Sequence, residues 1–343
     1  MNKPLQTGLV GFGKVAQTMH APLISQEPGL ELTDVVERHH EYSRETYPQV
    51  TVHKSLEDML AHADIDLVVI CTPNEFHFDQ AQAALLAGKH VVVDKPITVK
   101  AEQARELQKL ADEVGKLLSP YQNRRWDGDF LTIKKLLKEG TLGRIVHFES
   151  HFDRFRPEAN HNWREKDVPG SGIFYDLGAH LIDQAVQLFG KPEWVYAEIL
   201  KQRKDVQADD FFDLSLMYKE MKVRLSASIL MNAPLPKFLV LGDKGSYSKY
   251  GLDVQEAALK QRILPGTQNW GVEPSESYGK VFLENETYAL PTENGNYLAY
   301  YQNIARAIRK QEPLMVKTEE AALTLDIIEA AIRSNKTGQR INL

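Results

Sequence analysis

Asp176 and His180 stand four residues apart in the segment Gly170-Ser171-Gly172-Ile173-Phe174-Tyr175-Asp176-Leu177-Gly178-Ala179-His180. On a helix that spacing puts both side chains on one face, a turn from each other, where they can serve one site. An imidazole and a carboxylate so placed are a candidate catalytic pair. The same segment also reads as a buried amphipathic helix through Leu177, Leu181, Ile182, Val186 and Leu188, with His180 satisfied internally. Asp183 is within a turn of His180 as well, so either carboxylate can be its partner.

A second constellation suits phosphate. Leu5 to Val10 is an apolar run that stops at Gly11-Phe12-Gly13-Lys14-Val15-Ala16, and a helical pattern through Met19, Leu23 and Ile24 follows. Between a strand and a helix, Gly11 permits the tight turn, Gly13 lets backbone approach a pyrophosphate, and Ala16 permits close helix-sheet contact. The helix N-terminus attracts the phosphate charge. Glu37 ends the next apolar run about 21 positions beyond Ala16, where a carboxylate accepts from ribose hydroxyls and repels a 2′-phosphate. Arg38 argues the other way, because a guanidinium pairs with that phosphate or stacks on adenine. The expectation is a dinucleotide site for NAD, with NADP admissible.

The elements that must position these groups alternate. Apolar runs at Leu30 to Val36, Val50 to Val52, Leu67 to Ile70, His90 to Val93 and Leu117 to Ser119 are separated by helix-length segments such as Phe76 to Ala87 and Ala101 to Val114. Strands without polar alternation, interleaved with helices, predict a doubly wound parallel sheet over the first ~120 residues. In such sheets ligands lie beyond the carboxyl ends of the strands. Two strands end in polar groups there, at Thr72-Pro73-Asn74-Glu75-Phe76-His77 and at Asp94-Lys95-Pro96. Taken alone, Lys95 is also readable as a strand-end lysine that reaches solvent.

Past Tyr121 the pattern changes to one helix, Phe130 to Glu139, and then strand-like runs at Ile145 to Phe152, Trp194 to Leu200, Phe211 to Tyr218, Val223 to Leu230 and Phe238 to Leu241. That clustering predicts a mostly antiparallel open sheet of α+β type. The expected division is therefore a Rossmann domain over 1–121 and a substrate-binding and oligomerisation domain over 122–343.

The glycine motif, Cys71-Thr72-Pro73-Asn74 with His77, and Ala87-Gly88-Lys89-His90-Val91 leading to Asp94-Lys95-Pro96 together resemble the Gfo/Idh/MocA family of oxidoreductases over essentially the whole chain. The family usually has Glu-Lys-Pro at the third motif, and Asp94 keeps the charge while shortening its reach. The resemblance implies that Lys95 lies beside nicotinamide and the substrate hydroxyl, and that Thr72, Pro73, Asn74, His77 and Asp94 belong to the cofactor site. It implies that His180 is general base for oxidation and general acid for reduction, with Asp176 holding a hydroxyl or tuning it. Segments around Asn123-Arg124, Arg154, Trp163 and Asn294-Gly295-Asn296-Tyr297 resemble members close to scyllo-inositol dehydrogenases, as does His20-Ala21-Pro22-Leu23. Asn123, Arg124, Arg154, Trp163 and Tyr297 are therefore substrate-site candidates for a polyol. The expected reaction is hydride transfer between nicotinamide and a secondary alcohol carbon of a cyclitol, sugar or sugar derivative. The alternatives are a tightly bound NAD recycled within one turnover and a non-catalytic dinucleotide-binding regulator. A homodimer or homotetramer is implied by resemblance.

The bulk numbers exclude other classes. A formal charge of -6 offers no footprint for nucleic acid. No apolar stretch approaches the ~20 residues that span a bilayer, and no secretory h-region opens the chain, so a cytoplasmic location is expected. The single cysteine, Cys71, reads as a small buried hydrophobe. A zinc site from His151, His161 and His180 lacks compact ligand spacing, and no metal is expected.

Overall fold

The computed structural model describes residues 3–160 and 162–343, so His161 lies outside the described residues. The chain divides into two compact units. The first runs to Asn123 and takes back Gln255–Trp270 and Asn296–Ala322, while the second comprises Arg124–Val254, Gly271–Gly295 and Leu323–Leu343. This differs from the contiguous division expected at 121, because two late segments return to the first unit.

In the first unit, β1 (Leu5–Val10), β2 (Leu30–Val36), β3 (Thr51–His53), β4 (Leu67–Ile70), β5 (His90–Asp94) and β6 (Leu118–Tyr121) form one sheet. Its order is β3-β2-β1-β4-β5-β6, parallel throughout. The doubly wound expectation holds, and the order reverses beside β1, where such sheets bind nucleotide. All four residues of β4 and Val91–Val93 of β5 have no exposed surface. Each buried side chain of this size stabilises the fold by roughly 1.5–3 kcal/mol. The returning helix Leu298–Ile308 belongs here for the same reason. It buries Tyr300 and Tyr301, and the Tyr300 hydroxyl meets Ser119 Oγ at 3.0 Å and the Pro120 carbonyl at 3.1 Å.

The second unit adds β7 (Ile145–His151), β8 (Trp194–Leu200), β9 (Phe211–Tyr218), β10 (Met221–Ser228), β11 (Phe238–Gly242), β12 (Gly245–Lys249), β13 (Gly279–Leu283), β14 (Thr287–Leu290) and β15 (Ile341–Asn342). They form a sheet of order β14-β13-β12-β11-β7-β10-β9-β8-β15. Only β7 and β10 pair in parallel, so the mostly antiparallel expectation holds. Alternation along the strands separates a buried face, with Phe148, Phe212, Leu214, Val223 and Val240, from a polar face with His147, Glu149, Asp213 and Arg224. The helix Ala179–Phe189 and the turn before it pack on the buried face, with Phe189 5.3 Å from Phe148 and Phe174 5.1 Å from Phe212. No helix among the described residues is long and apolar enough to cross a membrane.

Candidate active-site residues

In the first unit, Gly11 follows β1 with φ +89, where a Cβ would also sit 3.3 Å from the Cys71 carbonyl oxygen. Only glycine takes that conformation without strain. Nothing lies within 4 Å of where a Gly13 Cβ would be, so its backbone is open to close approach. Helix begins at Lys14, and Ala16 is fully buried. Phe12 is buried edge-on to Tyr47, Val15 is half-buried, and Lys14 is exposed. Gly11, Gly13, Glu37, Arg38, Thr72 and Pro73 line a cavity of about 610 Å³. That volume is within the range for small ligands and cofactors.

Glu37 is turned partly inward. Its two carboxylate oxygens accept from the amides of Tyr42 at 3.1 Å and Ser43 at 2.9 Å, which fixes a negative charge on the cavity wall. Arg38 lies 5.9 Å from the Phe76 ring on the same wall. These residues fit a dinucleotide: an open glycine turn, a helix start and an anchored acid.

Asn74, His77, Asp94 and Lys95 are not among the residues that line this cavity. Thr72 Oγ1 donates to Gln80 at 2.6 Å, and Asn74 is buried. His77, expected at the cofactor, is fully buried, with Nδ1 2.8 Å from the Pro96 carbonyl and Nε2 2.8 Å from the Thr72 carbonyl. Its ring braces the loops after β4 and β5 from within. Burial pushes the imidazole below its ordinary range, although both carbonyls and Asp94 oppose that shift. Lys95 is half-buried at the end of β5, and the Lys95–Pro96 peptide is cis.

A π-turn at Ala16–His20 interrupts the first helix, a distortion that often marks functional sites. It delivers His20 into the interior, with Nδ1 2.6 Å from the Tyr301 hydroxyl and Nε2 3.6 Å from Asp94. Desolvation works against the Asp94 carboxylate, but His20, Lys95 and His77 hold it below the usual range. The shorter acid thus meets a buried histidine partner. Cys71 directly follows β4, and burial with the Asp94 charge pushes its thiol well up, as befits an inert thiol.

In the second unit, Asp176 lies in another π-turn, Phe174–Gly178, and His180 in the helix that continues from it. The regular helix expected at Asp176 is locally widened. The Asp183 carboxylate grips Arg125 two-pronged at 2.5 and 2.8 Å, both residues buried. Asp176 instead lines a small cavity with Arg154, Asn162, Arg164 and Asp209, its carboxylate 3.6 Å from Arg164. His180 is buried.

Among the substrate candidates, Arg124 and Arg154 lie 4.8 and 5.1 Å from the Phe152 ring, and Trp163 stacks beneath Arg164 at 4.7 Å. Asn123 is buried at the end of the first unit's leading segment. Tyr297 has no exposed surface, and its amide donates to the Gln255 side-chain oxygen at 2.7 Å. Lys237, which sequence reasoning missed, also approaches Phe152 at 4.3 Å. Burial lowers its pKa, against the pull of Asp129. No group of three or more potential metal ligands forms among the described residues.

The NAD-binding Rossmann domain of the Gfo/Idh/MocA oxidoreductases matches residues 5–122, and the family's C-terminal alpha/beta domain matches 134–343. The chain is 42% identical to the uncharacterised oxidoreductase YdgJ of Escherichia coli, covering 98% of each. It is 38% identical to IolW of Bacillus subtilis, an NADP(+)-dependent scyllo-inositol 2-dehydrogenase, over 99% of this chain and 96% of that one. The solved structure of yvaA from Bacillus subtilis superposes with a TM-score of 0.95 at 37% identity, covering 99% of each chain. The chain belongs to the Gfo/Idh/MocA family and is an NAD(P)-dependent oxidoreductase.

Proposed function

We propose that this enzyme transfers a hydride between nicotinamide and a secondary alcohol carbon of a cyclitol, sugar or sugar derivative. The observation that carries the reading is the placing of Asp176 in a polar, arginine-rich cavity, one turn before His180 on a single helix. Arginine, amide and aromatic groups suit a ligand with several hydroxyls. Its relatives include an inositol 2-dehydrogenase of Rhizobium meliloti and a D-glucoside 3-dehydrogenase of Escherichia coli, which supports the same substrate class.

The nicotinamide, when bound, supplies the hydride acceptor at C4. Lys95 polarises the substrate oxygen and lowers the cost of alkoxide character on it. His180 takes the hydroxyl proton during oxidation and returns it during reduction. Asp176 holds a neighbouring hydroxyl or tunes His180, while Asn123, Arg124, Arg154 and Trp163 orient the rest of the ring. The Gly11 to Ala16 turn, Glu37, Arg38, Thr72, Pro73 and Asn74 hold the dinucleotide, with NAD favoured over NADP by the charge of Glu37. His77 and Asp94 act through the loops they support. The second unit's polar sheet face joins copies into a homodimer or homotetramer, and the protein works in the cytoplasm.

Steady-state assays of cyclitols, aldoses and their lactones with NAD⁺ and NADP⁺ test this reading. Reduction of cofactor by a polyol supports it. Protein that carries bound nucleotide but reduces no free cofactor with any of them overturns it.

A further inference from the structure

The helix that bears Asp176 and His180 begins in a constrained way. Its entry residue, Gly172, has φ +85, and a Cβ there would lie 1.9 Å from Asp209 Oδ2. The Asp209 carboxyl is thus pressed against the Gly172 backbone, a fit that only glycine permits. Two successive amides then turn to the same residue: Ile173 donates to the Asp209 carbonyl at 3.1 Å and Phe174 to its Oδ1 at 2.7 Å. The first amides of a helix have no partner within it, and a carboxylate is the strongest acceptor they can be given. Asp209 also lines the cavity that holds Asp176, Arg154 and Arg164. No residue between 200 and 211 belongs to a strand or helix, and this acid has no motif around it.

We propose that Asp209 is a positioning residue for the reaction: seated against Gly172 and accepting from Phe174, it sets the first turn of the helix that presents Asp176 to the cavity. This rests on the reading that Asp176 acts on the substrate.

The charges around Asp209 are defined. Asp210, next in the chain, is held by the amides of Gln202 and Arg203 and by the Arg203 guanidinium at 3.0 Å. Arg203 also meets Glu165 at 2.9 Å, so its charge is committed. Lys201 is on the same loop, the Tyr175 phenol is within electrostatic reach, and Arg154, Arg156 and Arg164 line the cavity. Burial dominates and pushes the Asp209 carboxyl up to about 6, with Asp210 adding to the shift and the Phe174 amide and Lys201 opposing it. Its charge therefore switches within the pH range of an ordinary assay. Below that range the helix start loses its anion.

Two variants of the full-length protein test the proposal. Asp209→Asn keeps the shape and one acceptor oxygen but cannot ionise, and Asp209→Ala removes the acceptor. Kinetics on a polyol that the wild type oxidises are measured from pH 5 to 9, with NADH affinity followed by fluorescence and amide exchange by mass spectrometry. Asp209→Ala is expected to lower kcat at least tenfold with NADH affinity within twofold, and to lose protection over Phe174–Gly178. Asp209→Asn, which mimics the neutral acid, is expected to fall between the wild type and Asp209→Ala in kcat at pH 8 and to lose the wild-type ionisation near pH 6. An Asp209→Ala protein with kcat within twofold, or an Asp209→Asn protein with an unchanged pH profile, overturns the proposal. Amide exchange separates the two readings: a wild type inactive on every polyol sinks the function, whereas protection retained in Asp209→Ala sinks the positioning role whatever the substrate. If Asp209→Ala does not fold, the pH profile of Asp209→Asn decides alone.

Discussion

Replacing Arg125 by methionine leaves Asp183 as a carboxylate without its guanidinium at a site only 2% exposed. Breaking a buried ion pair from one side costs about 3–5 kcal/mol, because the remaining charge keeps its desolvation penalty. For a domain of this size each kcal/mol moves Tm by about 2–4 °C, so a fall of roughly 6–20 °C is expected at pH 8. The loss should shrink towards pH 5. Without Arg125 the folded Asp183 pKa rises above its unfolded value, so the folded state binds more protons and stability falls as pH rises. The double variant Arg125→Met with Asp183→Leu should recover most of the loss, since an apolar pair of similar volume replaces a buried ion pair at little cost. Thermal melts of the wild type, both single variants and the double variant at pH 5 and 8 give the coupling. A single-variant loss under about 1 kcal/mol, or additive losses in the double variant, would refute the structural role given to Asp183.

Replacing Glu37 by serine removes the anion from the cavity wall, and the NADPH-to-NADH affinity ratio should rise about tenfold, near 1.4 kcal/mol, by fluorescence titration. An unchanged ratio would show that Glu37 serves only the Tyr42 and Ser43 amides. His77→Ala leaves one buried and one part-buried carbonyl without their brace. It should cost about 1–3 kcal/mol in melts and lower kcat more than it weakens NADH binding. Burial pushes Asp129 up to about 6, above its unfolded value, so between those two values stability falls as pH rises and the penalty is complete above them. Asp129→Asn, which can keep an acceptor for the Phe130 amide, should therefore raise Tm at pH 8 and gain little at pH 5.

Which features were readable in advance follows from how each is built. The strands β1, β2, β4, β8 and β9 appear at the expected residues because each carries an apolar run or a clean alternation. The short strand at Gly245–Lys249, Gly-Ser-Tyr-Ser-Lys, has one large apolar residue, and β15 has two residues in all, so pairing with neighbours rather than local pattern creates them. The return of Asn296–Ala322 to the first unit is likewise tertiary: Tyr300 and Tyr301 could be read as core, but not as the core of which unit. The glycine turn, Lys95, Asp176 and His180 carried motif spacing. Their supports did not, since His20 reaches Asp94 across 74 positions and Asp209 reaches Phe174 across 35. The ion pair of Arg125 with Asp183 was equally illegible, since its two residues are 58 positions apart.

The most direct test of the central claim is the kcat of Lys95→Met on a polyol that the wild type oxidises, with NADH affinity measured on the same protein. Loss of one preorganised charge at a developing alkoxide predicts a fall in kcat of about 10²–10³-fold, with NADH affinity nearly unchanged. A Lys95→Met enzyme with wild-type kcat would contradict the mechanism.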